Sequence, residues 1–224
     1  MGSIRVLTMA SYRDSSINIT GSTTTATALL PAAAVDNDYL IVSIGGKASF
    51  TVSVVPSGWT LLNSTSSAFY VYGKLASSEP TSWDWTINTA TKLTIICVAV
   101  QDCDQTTPKN ASGIQANASS INVTAPSITT TVDNCFIVGL YNIQGNTTTF
   151  TSPAAGQTEA IQGSTSGANG NASEAGYETF GTAGATGTRT ATASLTGVNY
   201  GCLVAVAPFT GSAGKSCLYR YATM

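Results

Sequence analysis

The sequence predicts an all-β fold, a jelly-roll-like antiparallel β-sandwich with an internal duplication and an extended C-terminal arm. Apolar or alternating runs are short and are bounded by Gly, Pro, Asn, Asp and Ser, which is the pattern of strands and tight turns. No segment carries apolar residues at i, i+3, i+4 and i+7 over three turns, so no amphipathic helix is expected. Charged residues are only 9% of the chain, against about 25% in an average soluble domain. The polar surface must therefore consist mainly of Thr, Ser, Asn and Gln, which suit the solvated face of a strand.

The apolar and alternating runs give the expected strands. They cover residues 4–9, 25–30, 39–44, 50–55, 68–75, 83–87, 93–101, 121–124, 135–143, 148–151, 174–180, 186–194 and 200–209. The runs at 93–100 and 135–140 are apolar on both faces, which predicts central strands that are covered on both sides.

Several short motifs occur twice in the same order, about one hundred residues apart. SSINIT at 15–20 recurs as SSINVT at 119–124, and VDNDYLIV at 35–42 recurs as VDNCFIVG at 132–139. SFT at 49–51 recurs as TFT at 149–151, and each half closes with an apolar strand. Ordered matches of this kind indicate a duplicated structural unit.

The duplication predicts the domain organisation. Residues 1–209 are expected to form the sandwich, with repeat halves at about 11–104 and 115–209, and residues 210–224 the arm. Two copies of one motif can pack as a single sandwich or stand as two small ones. The single sandwich is favoured because no Pro-rich or charged linker separates the halves. Residues 102–118 are expected to form a long, exposed and mobile crossover loop.

Charge and hydropathy argue against two classes of partner. The formal net charge is -2 and the Lys and Arg residues are scattered, whereas nucleic-acid binding needs clustered cations. No run of about 20 apolar residues is present to span a bilayer, and the N-terminus has no signal-peptide pattern. The expected partners therefore include neither nucleic acid nor membrane.

No cofactor or metal is predicted. The chain has no His and five Cys without C-x-x-C spacing, which disfavours zinc. Cys97, Cys135 and Cys202 lie in apolar runs and are expected to be buried thiols. The Asp-Asn pairs before residues 39 and 135 predict strand-initiating turns. Calcium binding by Asp36, Asp38 and Asp133 is the alternative, although Cys135 replaces Asp38 in the second copy.

Enzymatic activity is not expected. The absence of His excludes Ser-His-Asp and Cys-His catalysis. Glu174 and Glu178 share a strand face at a separation of roughly 13 Å, given ~3.3 Å per residue, which is too wide for a glycosidase pair. Both are therefore expected to be solvated strand residues. Asp102 and Asp104, which flank Cys103, form the other carboxylate pair.

Two groups of aromatic residues are candidate binding elements. Trp59, Trp83 and Trp85 either fill a core or subunit interface, which is the favoured interpretation, or form a platform on which sugar rings stack. The arm ends in Leu218, Tyr219, Arg220 and Tyr221, an apolar and aromatic tip that is unfavourable if left exposed. This tip is expected to contact another subunit or a shell, with docking on its own domain as the alternative.

Several motifs together resemble a class of phage and bacterial β-sandwich proteins. These motifs are PSGWTLL at 56–62, YVYGK at 70–74, EPTSWDW at 79–85 and GATGTRTAT at 184–192, and the resemblance spans about residues 35–208. The class is found among virion proteins, as capsid decoration or fibre-associated proteins. No functional residues transfer with the resemblance, because its motifs are structural.

The resemblance implies a capsid decoration (cement) protein of a tailed phage. Such a protein is expected to be made in the host cytoplasm, to form homotrimers and to bind the major capsid protein on the outer surface of the head. One alternative is a glycan- or receptor-binding module associated with a tail fibre or spike. A secreted adhesion module is a further alternative.

Overall fold

The computed structural model describes residues 9–65, 68–146 and 148–210, and every regular element within them is a β-strand. The strands are β1 (Ser11–Leu29), β2 (Tyr39–Gly46), β3 (Val52–Val54), β4 (Thr60–Ser64), β5 (Phe69–Leu75), β6 (Ser82–Gln101), β7 (Lys109–Ala125), β8 (Cys135–Gln144), β9 (Phe150–Ser152), β10 (Thr158–Ser164), β11 (Asn171–Phe180) and β12 (Arg189–Val206). Within these residues no helix is long and apolar enough to cross a membrane. The predicted strand at 4–9 lies almost entirely outside the described residues.

The two halves of the chain form one antiparallel sheet each. Sheet 1 has the order β1-β6-β2-β5-β4, with β3 paired to β6, and we call its residues copy 1. Sheet 2 has the order β7-β12-β8-β11-β10, with β9 paired to β12, and forms copy 2. Each strand of copy 1 has a counterpart six strands later, so the second copy repeats the first strand for strand. Within each copy the first strand pairs with the last and the second with the fifth, so the pairing is nested.

The two sheets pack face to face, which confirms the predicted β-sandwich. A shared core lies between them and takes Ile41, Val71 and Val98 from sheet 1 and Val138 and Val204 from sheet 2. Strand β2 faces its own counterpart β8, while β1 lies against β10 and β7 against β4. These contacts follow the pattern of an approximate two-fold axis between the copies, but β11 also packs on β6 without an equally extensive contact between β5 and β12.

The longest strands turn back over the outer face of their own sheet. In β1, Asn18 Nδ2 donates to the carbonyl oxygen of Thr27 at 2.9 Å, so the beginning and the end of one strand face each other. In β7, Asn117 Nδ2 donates to the carbonyl oxygen of Thr124 in the same way, also at 2.9 Å. The far parts of β6 and β12 follow these bends, because they stay paired with β1 and β7. Each copy thereby encloses an outer core between its sheet and its own folded-back ribbon.

Three sequence expectations about the long strands are wrong. Residues 83–87 and 93–101 belong to one continuous strand, as do most of 186–194 and 200–209. The expected crossover loop at 102–118 is short, because β7 already begins at Lys109. The sequence of β7 is polar and shows little apolar alternation. The reason is that β7 lies at the edge of its sheet, where backbone pairing with β12 supplies most of its contacts.

A buried polar cluster joins the two sheets at one end of the shared core. Thr94 of sheet 1 and Ser173 of sheet 2 share a hydrogen bond between their hydroxyl oxygens at 2.6 Å. Asn171 donates from Nδ2 to Thr94 Oγ1 at 2.7 Å and to the Gly45 carbonyl oxygen at 3.0 Å. Hydrogen bonds are directional, so this cluster fixes the register of the two sheets more strictly than apolar packing alone.

The close approach of the ribbon to sheet 2 requires a glycine. A Cβ added at Gly201 would lie 2.4 Å from the carbonyl oxygen of Thr124 and 2.5 Å from the backbone nitrogen of Ala125. We expect Gly201→Ala to lower the free energy of unfolding by about 2 kcal/mol, because backbone cannot move aside as a flexible side chain can. Urea denaturation measures this change. Gly21→Ala is the control, since a Cβ there meets nothing within 4 Å among the described residues, and an equal effect of both substitutions would contradict the explanation.

Candidate functional site

The register of the sheets establishes which residues of the two copies are equivalent. Tyr39 pairs with Val100 and Leu75, and Phe136 pairs with Val206 and Thr179. Tyr39 and Phe136 therefore occupy the same position, as the VDN motifs before them predict. The preceding Asn37 and Asn134 both have positive φ, at 73° and 59°. The predicted strand-initiating turns are thus confirmed.

The predicted calcium ligands serve these turns instead. Asp38 is buried, and its carboxylate binds Arg13 Nε at 2.6 Å and accepts a hydrogen bond from the Val35 backbone nitrogen. Asp36 accepts from the backbone nitrogen of Ser78, and Asp133 from that of Ala183. Across the described ranges no group of three or more His, Cys, Asp or Glu side chains is placed to hold a metal ion.

The three tryptophans lie in the outer core of copy 1. Trp85 is fully buried, and Trp59 and Trp83 are only 7% and 6% exposed. The ring of Trp59 meets Trp83 edge-on at 5.1 Å and Trp85 at 5.2 Å. The favoured interpretation as core residues is confirmed. The alternative, a stacking platform for glycans at these positions, is wrong because their ring faces are covered by one another and by the sheet.

A polar network occupies the equivalent volume of copy 2. The register makes Trp59 equivalent to Gln157, Trp83 to Arg189 and Trp85 to Ala191, while Tyr72 is equivalent to Gly176. Duplicated positions have thus exchanged aromatic rings for polar or small side chains.

The members of this network are joined by hydrogen bonds. Tyr141 donates its hydroxyl hydrogen to Gln157 Oε1 at 2.7 Å. Glu178 accepts from Arg189 Nε at 2.7 Å and from Arg189 Nη2 at 3.1 Å, and Gln157 Nε2 lies 3.5 Å from Glu178 Oε1. The Gln157 side chain covers Gly176, where a Cβ would lie 3.0 Å from Gln157 Oε1. Polar side chains therefore fill the space that the tryptophans fill in copy 1.

Glu174 is the least satisfied member of this region. It is 0% exposed, and neither carboxylate oxygen has a hydrogen-bond partner among the described residues. Burial, and secondarily the negative charge of Glu159, raises the pKa of Glu174 to about 8. The expectation that Glu174 is solvated is wrong, because the folded-back ribbon covers the outer face of β11. Glu178, by contrast, is held by Arg189, so the two carboxylates have different environments.

The cysteines are thiols in the positions that their apolar context predicts. Among the described cysteines, Cys97, Cys135, Cys202 and also Cys103 are buried free thiols. Burial raises the pKa of each of these thiols, which disfavours the reactive thiolate.

Two open grooves lie on the seam between the copies, and they occupy equivalent positions. The tyrosine groove, of about 450 Å³, is lined by Tyr12, Phe136, Thr158, Tyr177, Glu178 and Thr179. The lysine groove has a volume of about 360 Å³ and is lined by the residues equivalent to these. Taken in the same order as for the tyrosine groove, these residues are Lys109, Tyr39, Thr60, Gly73, Lys74 and Leu75. Each groove therefore combines the sheet of one copy with the first strand of the other.

A third groove lies where the chain enters and leaves the sandwich. Ser11 Oγ accepts a hydrogen bond from Gln101 at 2.9 Å, and the Phe209 backbone nitrogen donates to the Asp102 carbonyl oxygen at 2.8 Å. Both ends of the sandwich sequence are thus at one end of the molecule. The adjacent groove, of about 450 Å³, is lined by acidic side chains including Asp36 and Asp102, together with the Arg13–Asp38 ion pair.

Asp104 and the C-terminal tip are two further elements that the sequence singled out. Asp104 caps the turn after β6 by accepting hydrogen bonds from the backbone nitrogens of Thr106 and Thr107, which lower its pKa. The predicted contact residues Leu218, Tyr219, Arg220 and Tyr221 lie outside the described residues.

Comparison with protein-family models, with curated proteins and with solved structures finds no match to this chain.

Proposed function

We propose that this protein is a structural component of a tailed-phage virion, a capsid decoration protein that binds the outer surface of the head and stabilises it. In this role it acts without catalysis or a cofactor, bridges neighbouring major capsid protein subunits and assembles as a homotrimer. Its location is then the outer capsid surface of the virion, after synthesis in the host cytoplasm. The sequence resemblance to virion β-sandwich proteins is the origin of this proposal.

One structural observation supports it most directly. The sandwich has a shared core and two outer cores, while both ends of the described chain lie at the same end. A rigid body with its terminal segments attached at one end suits a protein that is held on a surface through arms. Many weak contacts of this kind add through avidity when several protomers are linked.

The C-terminal arm supplies a direct test of the proposal. Deleting residues 216–224 should lower the occupancy of the protein on purified capsids by about tenfold or more, equivalent to ~1.4 kcal/mol per bound unit. In this role the arm contacts the capsid and not its own sandwich, so the melting temperature should stay unchanged. Quantitative mass spectrometry of washed particles measures the occupancy. A deletion variant that binds capsids as well as the full chain would refute the role of the arm.

Copy number separates this proposal from its alternative. A decoration protein is expected at hundreds of copies per particle, in a fixed ratio to the major capsid protein. A glycan- or receptor-binding fibre module is expected at a few dozen copies or fewer. Mass spectrometry of intact virions distinguishes the two, and a low copy number would replace the first proposal by the second.

A further inference from the structure

We propose that β9 is a pH-sensitive latch, which covers Glu174 while this carboxyl group is protonated and detaches when the group ionises. The latch comprises β9 and the residues next to it, 148–154. This conformational device goes beyond the proposed structural role and does not depend on it. It follows from the position of β9, from the side chain beneath it and from the few contacts that hold it.

β9 is the outermost strand of the folded-back ribbon of copy 2, because it pairs with β12 alone among the described strands. The backbone nitrogen of Phe150 in β9 donates to Gln162 Oε1 at 3.1 Å. Gln162 lies directly opposite Glu174 in the pairing of β10 with β11, and directly opposite residues carry their side chains on the same face of a sheet. Phe150 is itself buried in the outer core of copy 2. β9 therefore closes this core above Glu174.

The side chain beneath the latch is a carboxyl group without a hydrogen-bond partner among the described residues. The register makes Glu174 equivalent to Tyr70 of copy 1. Tyr70 donates its hydroxyl hydrogen to the carbonyl oxygen of Phe50 at 2.9 Å, just before β3, which is the counterpart of β9. A side chain of the sheet thus holds the covering segment in copy 1, whereas Glu174 forms no such bond in copy 2.

The groups around Glu174 do not compensate a negative charge there. Tyr141 of β8 lies next to Glu174, Glu178 and Arg189, while Glu159 approaches Glu174 from β10. The residues of β9 carry no charge. Among these described groups Arg189 is the one cation, and Glu178 already neutralises it at an N–O distance of 2.7 Å. A buried carboxylate without a cation or hydrogen-bond donor is costly, so Glu174 must either keep its proton or reach water.

Few contacts hold the latch in place. Within the described residues, β9 pairs with β12 only at Phe150 and Ser152, and the Thr149 backbone nitrogen donates to Ser194 Oγ at 3.0 Å. β8, by comparison, pairs with β12 over most of its length. Segments with few pairing bonds open at a lower free energy than the sheet that they cover. β9 can therefore detach while β8, β11 and β12 stay paired.

Two protonation equilibria determine the direction of the pH effect. Burial, and secondarily the charge of Glu159, raises the pKa of Glu174 to about 8 while the latch is closed, whereas an exposed glutamate has a pKa of about 4.3. Between these values the open form releases a proton that the closed form keeps. The equilibrium constant for opening therefore increases about tenfold per pH unit in this window, and it is constant at lower and at higher pH.

Hydrogen exchange of the full-length protein at pH 5, 6 and 7, followed by NMR and corrected for the intrinsic pH dependence of exchange, measures this equilibrium. The amides of Thr149 and Phe150 should show an opening constant that rises about tenfold from one pH value to the next. Glu174→Gln should abolish this rise, because an amide side chain does not ionise. Glu159→Gln should retain most of it, because burial is the larger cause of the raised pKa of Glu174.

The Thr51 amide of copy 1 is the internal control. It donates to a side-chain oxygen, Asn88 Oδ1 at 2.8 Å, as its counterpart Thr149 does in copy 2. The sheet beneath it carries Tyr70, whose pKa burial raises above its usual value, so that the phenol stays uncharged in this pH range. The opening constant at Thr51 should therefore not change with pH. This comparison is made within the wild-type protein and does not depend on the folding of a variant.

Three results would overturn the proposal. They are an opening constant of the latch that does not change with pH, a rise with pH that persists in Glu174→Gln, and an equal rise at Thr149 and Thr51, which would indicate opening of the whole molecule. Each measurement uses the isolated protein without capsids, so failure here is distinguishable from failure of the decoration role.

Discussion

Replacing Trp85 with alanine should lower the free energy of unfolding by about 4 kcal/mol, because a fully buried indole is deleted from a packed core. Trp85 contacts Trp59 edge-on at 5.2 Å and lies 5.6 Å from Tyr72. Its removal therefore leaves a cavity bordered by rigid rings that cannot collapse to fill it. Urea denaturation followed by far-ultraviolet circular dichroism measures the change.

Two further variants make this prediction specific. Thr86→Ala alters the next residue of the same strand, whose side chain is exposed, and should change stability by less than about 0.5 kcal/mol. Trp85→Phe should cost less than Trp85→Ala, because the indole Nε1 has no hydrogen-bond partner in the described part of the chain and a phenyl ring retains most of the contact area. A loss below about 1 kcal/mol for Trp85→Ala would mean that the outer core of copy 1 is not the rigid unit inferred here.

Replacing Glu174 with glutamine should stabilise the protein in a pH-dependent manner. The pKa of Glu174 is raised to about 8 in the folded state, against about 4.3 for an unperturbed glutamate. Between these values the folded state retains a proton that the unfolded state has lost, so stability falls as pH rises through this window and is constant above it. The variant lacks this loss and should be more stable by about 4–5 kcal/mol at pH 8, with little difference at pH 4.

The measurement is urea denaturation of both proteins at pH 4, 6 and 8. Glu159→Gln is the matched control, because it removes an exposed carboxylate from the adjacent strand. That control should retain most of the pH dependence, since burial is the larger cause of the raised pKa. A constant difference between Glu174→Gln and the wild-type protein at all three pH values would contradict the assignment.

The general architecture was predictable because strand signals are local. Apolar runs bounded by turn residues gave the all-β sandwich, and the VDN motifs gave the duplication and its turns. The match of residues 15–20 to 119–124 aligned Thr20 with Thr124, but the strand pairing makes Thr27 the residue equivalent to Thr124. Thr27 pairs with Asp84, and Thr124 pairs with Thr190, the counterpart of Asp84. The sequence match failed because repetitive Ser, Thr and Asn sequences align at more than one offset.

The grooves and the buried polar network were not predictable, because they depend on residues distant in the chain. Tyr12, Phe136 and Tyr177 meet only through the packing of one copy on the other. Glu174 and Glu178 alternate with core residues as solvated residues would, but the folded-back ribbon buries Glu174 completely and leaves the Glu178 side chain only 11% exposed. The aromatic pattern around Trp83 and Trp85 is the same for a core and for a ligand platform, so burial alone distinguished the two.

The two-fold relation between the sheets has an evolutionary consequence. It is the arrangement that duplication and fusion of the gene for a homodimeric protein would produce. In a dimer of identical chains, a substitution at one site appears at its mate as well. After such a fusion each site varies alone, so equivalent positions can differ as Trp59 and Gln157 do, and equivalent clefts can differ in the same way.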